Sequence, residues 1–317
     1  MADVNDILTA AIVGPTGVGK TGASVLLAKK INAQIVSADS MQIYKGMDIG
    51  TAKATKEEMQ NVAHYMLSVA EPYEEYNVVR YVSEAKAAIE KIADGGYFPL
   101  IVGGTGLYID SLLNGIDFSK TVNDEKYRDF LSKTAEEKGN EYLHGMLLKT
   151  DPESAEKIHF NNVKRVIRAL EIYHVTGKTK TENDKAALCG REKINSVKIG
   201  LYLNSEKLYE RINQRVEKML AGGLLDEVER IKNSEKGFSK TSSQAIGYRE
   251  ILDYLDKKTS YDEAVELLKR NSRRYAKRQY TWFMRDKSIH WIDAESKSSE
   301  EIASICEEII SKRKRQD

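Results

Sequence analysis

The stretch "GPTGVGKT", residues 14–21, decides how the rest of the chain is read. Gly14, Gly19, Lys20 and Thr21 fit the spacing G-x-x-x-x-G-K-[ST], in which glycines let successive amides turn inward around a phosphate. The apolar run before it, "ILTAAIV" (7–13), reads as a buried strand. The segment after it, "KTGASVLLAKKI" (20–31), has helical apolar spacing at Val25, Leu26, Ala28 and Ile31. Strand, loop and helix in that order aim a helix N-terminus, with its positive dipole end, at the bound group. Lys20 adds a full charge and the Thr21 hydroxyl is a ligand for Mg²⁺. A polyphosphate or diphosphate is therefore the expected guest of Gly14, Pro15, Thr16, Gly17, Val18, Gly19, Lys20 and Thr21.

Outward from the loop, "AQIVSAD" (33–39) reads as a second strand and "YNVVRYVSEAKAAIEKIADGG" (76–96) as an amphipathic helix stopped by two glycines. "FPLIVGGTG" (98–106) is an apolar strand ending in glycines, and "LYIDSLLNG" another helix. Strands alternating with helices predict an α/β fold, a P-loop NTPase-like parallel sheet flanked by helices on both faces. From 118 to 195 the patterns are all helical, which predicts an all-helical insertion domain. "VKIGLYLN" (197–204) then returns to the sheet. Helical segments follow, including a long one from Tyr261 to about Arg285, then a final strand "IHWID" (289–293) and a closing helix with a basic tail. The expected organisation is a core made of 1–117 and 196–317, interrupted by 118–195.

Composition narrows the class. The chain has 317 residues, 41% hydrophobic and 31% charged, as in an ordinary globular protein, and its net charge of +1 gives no whole-molecule attraction to nucleic acid. Any basic surface is local. Two cysteines, Cys189 and Cys306, make neither a disulfide framework nor a zinc site. The segment "MADVNDILTA" has no signal- or transit-peptide character, and no apolar run approaches a membrane span. A cytoplasmic protein with no membrane partner is the expectation, working as a monomer.

An ATPase or GTPase would next need an apolar strand ending in a Mg²⁺-binding Asp, but "FPLIVGG" ends in glycines, and N-K-x-D is missing. Asp39, in "SADSMQIY", instead stands at a strand's carboxyl end, where open α/β sheets bind ligands. It suits a general base or a metal-assisting carboxylate, and equally a helix N-cap.

Near the C-terminus, "YDEAVELLKRNSRRYAKRQYTWFMRDK" sets Tyr261, Val265, Leu268, Tyr275, Gln279 and Trp282 near one helical stripe. Its other faces carry Lys269, Arg270, Arg273, Arg274, Lys277, Arg278, Arg285 and Lys287, opposed within 269–287 only by Asp286. That positive strip suits a nucleic-acid backbone, or is a solvated helix face. "NVKRVIRAL" (162–170) adds Lys164, Arg165 and Arg168 in the helical insertion. Two basic surfaces suggest an extended polyanion, while the plainer reading pairs the arginines with acids such as Glu171.

Taken together, "GPTGVGKT", "SADSMQIYKGMDIGTAK", "LIVGGTGLYI", "RVIRALEIYHVTGKT", "RINQRVEKMLAGGLLDEV", "QAIGYREI" and "YAKRQYTWF" resemble one family, the bacterial tRNA dimethylallyltransferases. The matches run in order over nearly the whole chain. The resemblance implies transfer of a dimethylallyl group from dimethylallyl diphosphate to the exocyclic N6 amine of the adenosine at position 37, beside the anticodon, with release of diphosphate and with Mg²⁺ as cofactor. The phosphate loop would then hold a leaving group rather than a nucleotide. Arg215, in "RINQR", matches the family's diphosphate contact, and Asp39 the carboxylate that takes the amine's proton. Lys20, Thr21, Asp39 and Arg215 are thus the catalytic candidates.

The resemblance further implies that Asp39, Ser40, Met41 and Gln42 face the target adenosine. Thr105, Arg128, Lys164, Arg165, Val166, Ile167 and Arg168 would contact the tRNA, with Gln244, Gly247, Tyr248, Arg249, Lys277, Arg278 and Trp282. The insertion would clamp the anticodon stem and loop. "TWFMRD" departs from the pattern by placing Met284 where many relatives carry a basic residue, with Arg285 beside it. The competing readings are a prenyltransferase for free adenine nucleotides, a non-catalytic RNA-binding P-loop protein and a small-molecule kinase.

Overall fold

A computed structural model of the chain describes residues 4–115, 124–186 and 193–315. Cys189 lies outside them. The chain divides into two units, one of Met1–Asn114 with Lys193–Asp317 and one of Gly115–Glu192.

The first unit begins with β1 (Thr9–Val13), α1 (Lys20–Lys30), β2 (Ala33–Ala38), α2 (Lys56–Met59), β3 (His64–Tyr65), α3 (Val78–Asp94), β4 (Phe98–Gly103) and α4 (Gly106–Leu113). The second unit follows in the chain with α5 (Glu125–Lys138), α6 (Asn140–Thr150), α7 (Pro152–Lys157), α8 (Val163–Thr176) and α9 (Lys180–Ala186). The chain re-enters the first unit with β5 (Ser196–Tyr202), α10 (Ser205–Ala221), α11 (Leu224–Lys232), α12 (Tyr248–Leu255), α13 (Tyr261–Phe283), β6 (His290–Asp293) and α14 (Ser299–Lys314).

The six strands form one sheet in the order β3-β2-β4-β1-β5-β6, every pair parallel. Because successive strand residues point to opposite faces, the apolar run of β1 serves two cores: Ala10 and Ile12 join one, Ala11 and Val13 the other. The first is closed by α1 and α14 through residues such as Leu27 and Cys306. Burial pushes the Cys306 thiol up to about 12, so it behaves as a small apolar group. The second core takes Tyr81, Ile89 and Ile92 of α3, Ile109 and Leu112 of α4, and Tyr248 and Ile251 of α12.

Register is what builds a site at one end of this sheet. Val13 pairs with Gly103, and Gly103 with Ala38, so the last residues of three neighbouring strands lie in one row. The residues that follow them, Gly14, Asp39 and Gly104, leave the sheet side by side at its carboxyl edge.

The expected strands and the long helices form with ends shifted by a few residues. The four-residue α2 and the two-residue edge strand β3 are too short to show a period, and α12, though amphipathic, spans only eight residues. The second unit has its own core, with Leu131, Leu143, Leu147, Val166 and Leu170 among its buried residues. No helix among the described residues is long and apolar enough to cross a membrane.

Candidate active site

The phosphate loop turns between β1 and α1 with Gly14, Gly17 and Gly19 at positive φ, a run of conformations that side-chain-bearing residues rarely adopt. Lys20 opens α1 and folds its ammonium back over the loop, donating to the carbonyls of Gly14 and Pro15, each at 2.8 Å. Burial lowers its pKa to about 7; the carboxylate of Asp39 works against that drop and the guanidinium of Arg215 adds to it. Thr21, next in the first turn of α1, is exposed.

Arg215 comes from α10. Its Nη1 donates to Thr16 Oγ1 at 3.1 Å and its Nη2 to the carbonyl of Thr51 at 3.2 Å, so one guanidinium joins the phosphate loop to the segment after β2. Burial holds its pKa below the usual arginine value, partly offset by Asp39.

Asp39 begins a turn, not a helix. Its Oδ1 accepts the amides of Met41 at 2.9 Å and Gln42 at 3.3 Å, so the cap-like bonds form without the helix that usually follows them. Thr105 fixes the next residue: its Oγ1 accepts the Ser40 amide at 3.0 Å. Gln42 donates through Nε2 to the carbonyls of Thr51 and Ala52 at 3.2 and 3.3 Å.

Thr16, Asp39, Ser40, Met41 and Arg215 line one cavity of about 450 Å³. The same cavity has an apolar patch from Ile212, Val216, Met219, Ile246 and Leu268, and basic side chains from Arg249, Arg274 and Arg278. Tyr275 also lines it, its phenol pushed up to about 12 by burial and by the charge of Asp39. Thr16 of the phosphate loop with Arg215, the Asp39 carboxylate and an apolar patch therefore share one space.

Several residues that hold this site are not among the sequence-based candidates. Gln279 of α13 is buried, accepts the Thr16 amide at 2.9 Å through Oε1 and donates through Nε2 to the carbonyl of Gly104 at 2.9 Å. A Cβ on Gly104 would sit 2.2 Å from that Nε2, which explains the second glycine of "GGTG". Lys53 turns its ammonium into the loop after Asp39, donating to the Tyr44 carbonyl, Asp48 Oδ1 and Ser68 Oγ at 2.6, 2.6 and 2.8 Å. Glu227 accepts the amides of residues 48, 49 and 50. Each lies in a stretch that carries the family resemblance, Lys53 in "SADSMQIYKGMDIGTAK", Glu227 in "RINQRVEKMLAGGLLDEV" and Gln279 in "YAKRQYTWF", and Gln279 also falls on the helical stripe, but no local pattern marks their partners.

The remaining candidates separate by burial. Gln244, Lys277 and Arg278 are exposed. Arg249 pairs with Glu250 at 2.6 Å, and Trp282, half-buried, donates through Nε1 to Asp110 at 2.7 Å. Tyr248 and Gly247 are buried, and the Tyr248 hydroxyl donates to Glu227, so its side chain supports the site from inside rather than meeting a tRNA. The basic strip of α13 is also partly engaged, because Lys269 pairs with Glu217 and Glu266, and Arg273 donates to Asn213.

In the second unit, Lys164 and Arg165 are exposed on α8. Val166 and Ile167, expected at the tRNA, are instead packed in that unit's core, since a helix that turns two basic residues outward turns the next two inward. Glu171 is fully buried and takes ion pairs from both Arg128, at 2.7 Å, and Arg168, with the Asp124 amide as a third donor. The plainer reading of Arg168 is thus met within its own helix, by an acid three residues on.

With this geometry in hand, the comparisons with known proteins are specific. A family model described as IPP transferase matches residues 42–286, and one described as isopentenyl transferase matches 7–73. A tRNA dimethylallyltransferase of Acetivibrio thermocellus is 48% identical over 292 residues, covering 92% of this chain and 93% of its own. One from Bacillus velezensis is 51% identical over 283 residues, 89% of each. Among solved structures, the full-length tRNA isopentenylpyrophosphate transferase of Bacillus halodurans is similar with a TM-score of 0.72 at 41% identity, covering 98% of this chain and 99% of its own. A eukaryotic dimethylallyltransferase described as acting on tRNA gives 0.79 at 31% identity, with 97% and 80% covered.

Proposed function

This chain belongs to the IPP transferase family, whose reaction is the prenylation of tRNA, and we propose how its residues divide that reaction. The substrates are dimethylallyl diphosphate and a tRNA whose adenosine at position 37 presents its N6 amine. The carbon–nitrogen bond forms as the carbon–oxygen bond to diphosphate breaks, and the amine's proton passes to Asp39. The observation that carries this reading is the shared cavity: Thr16 and Arg215, the Asp39 carboxylate and an apolar patch line the same 450 Å³.

The departing diphosphate gains negative charge, and donors fixed in advance around it cost no rearrangement at the moment of bond breaking. Those donors are the loop amides from Gly17 to Thr21, the Lys20 ammonium and the Arg215 guanidinium; Pro15 has no N–H, and Thr16 gives its own to Gln279. Thr21 suits Mg²⁺ bound mainly through the diphosphate: it is an exposed hard-oxygen donor in the first turn of α1, and that ion takes one or two protein oxygens and fills its shell with phosphate and water. Bound there, Mg²⁺ would neutralise charge on the leaving group. Ile212, Val216, Met219 and Leu268 give the five-carbon group an apolar wall, with each buried CH₂ favourable by about 0.8 kcal/mol.

An aromatic amine is a weak nucleophile until its developing positive charge is relieved, which is the part assigned to Asp39. The adenine would leave its stack to reach that carboxylate, with Ser40, Met41 and Gln42 beside it. Thr105 fixes Ser40. Gln244, Arg249, Lys277, Arg278 and Trp282 in the first unit, and Lys164 and Arg165 in the second, supply tRNA contacts, while Arg128 and Arg168, expected there too, are engaged by the buried Glu171. We place the protein in the cytoplasm, as a monomer.

The test is direct. Labelled dimethylallyl diphosphate and Mg²⁺ are incubated with the protein and either unmodified tRNA or AMP. Label in the tRNA at position 37 is expected; label in AMP alone would replace this reading with prenylation of free nucleotides.

A further inference from the structure

We propose that Glu227 is a positioning residue for the reaction, holding residues 48–51 so that the Thr51 carbonyl can orient Arg215 and Gln42 together. The proposal rests on the assignment of Arg215 to the diphosphate made above. Glu227 lies on α11, is buried, and is not among the residues lining the cavity, so it acts through what it holds.

Its carboxylate is surrounded by donors. Oε2 accepts the amides of Asp48 and Ile49, each at 2.9 Å; Oε1 accepts the amide of Gly50 at 3.1 Å and the Tyr248 hydroxyl at 2.5 Å. An ionised carboxylate only accepts, and its two oxygens have room for about four donors. Burying such a group without those bonds would be strongly unfavourable, because a carboxylate taken out of water keeps its solvation only through the donors that replace it. Burial and the neighbouring carboxylate both push the Tyr248 phenol upward, so it remains a donor. Three successive amides turned toward one anion form a rigid nest, and the chain conformation at 48–50 follows from the carboxylate being there.

The next peptide carbonyl is where the two substrates' residues meet. Thr51 O accepts Arg215 Nη2 and Gln42 Nε2, both at 3.2 Å. Arg215 continues to Thr16 in the phosphate loop, and the backbone amide of Gln42 continues to Asp39 Oδ1. Gly50 packs so closely on the Tyr248 ring that a Cβ there would lie 2.5 Å from it, which leaves the segment little freedom to shift. A glutamine at 227 keeps the shape but turns an NH₂ group toward amides that need an acceptor, so residues 48–51 would move and Arg215 with them.

The experiment is a double-mutant cycle on Glu227→Gln and Arg215→Ala, assayed well below the unfolding midpoint of every variant. Glu227→Gln is expected to lower kcat/KM for dimethylallyl diphosphate by about tenfold while tRNA affinity stays within about twofold. In the Arg215→Ala background it should add less than about twofold, because residues acting as one unit are not additive. Tyr248→Phe, which keeps the carboxylate and removes one donor, should show a smaller loss in the same direction and the same non-additivity. Losses that multiply across the cycle, or an unchanged Glu227→Gln enzyme, would overturn the proposal. Full activity in Arg215→Ala alone would reject the diphosphate assignment itself, and the proposal with it.

Discussion

The Gln279 side chain spans from the Thr16 amide to the Gly104 carbonyl, 2.9 Å to each, and so ties the phosphate loop to the turn after β4. Both bonds are made in a buried position, where an unmatched donor or acceptor costs about 1–3 kcal/mol. Gln279→Leu is expected to destabilise the protein by about that amount and to raise KM for dimethylallyl diphosphate more than it lowers kcat. Urea unfolding and steady-state kinetics measure the two effects; a KM equal to the parent's would mean the loop keeps its shape unaided.

Asp39 is assigned the proton. Asp39→Ala should lower turnover by at least about 10²-fold, the usual scale for a positioned proton acceptor, while tRNA affinity stays within several-fold. Single-turnover transfer with saturating tRNA reads this, and unchanged turnover removes Asp39 from the chemistry.

Lys20 offers a pH-dependent signature. Its pKa is lowered to about 7, first by burial, so at pH 8 it is mostly neutral in the free protein. Diphosphate binding favours the charged form and raises that pKa, so binding near pH 8 takes up a proton; below about pH 6.5 the lysine is already charged and uptake fades. Calorimetry in buffers of different ionisation enthalpy should report uptake approaching one proton, lost in Lys20→Met. Heats independent of buffer would show that Lys20 carries its proton throughout.

The exposed pair Lys277 and Arg278 is expected to meet phosphates. Replacing both by alanine should weaken tRNA binding and reduce the slope of log K against log salt by about 1 to 2, the change for one or two lost phosphate contacts. An unaltered slope would put these side chains elsewhere.

Within α8, neighbours should behave oppositely. Val166→Ala removes buried methyl groups and is expected to cost about 1–3 kcal/mol of stability, with intrinsic tRNA affinity preserved in the folded fraction. Lys164→Ala should leave stability within about 0.5 kcal/mol and weaken tRNA binding. Thermal unfolding beside filter binding separates them, and a reversed pattern would refute the inward and outward assignment.

The phosphate loop, the alternation that makes a parallel sheet, and the helical character of the stretch after it are legible from local sequence alone. These depend on contiguous residues: eight positions make the loop, and period and composition make each strand or helix. Asp39 could also be singled out, because the residue after an apolar strand leaves the sheet at its carboxyl end. The rest follows from contacts between distant parts of the chain. Thr16 and Gln279 are 263 positions apart, and Asp48 and Glu227 are 179 apart. No local pattern distinguishes a buried glutamine that bridges two loops from one that fills a stripe, or a helix-face glutamate from one enclosed by three amides. The same holds in α8, where a basic-apolar run read as one contact surface separates into exposed Lys164 and Arg165 and buried Val166 and Ile167. Hydrogen-bond partners at long separation are fixed only when strand register and helix packing bring them within about 3 Å, and that information belongs to the fold.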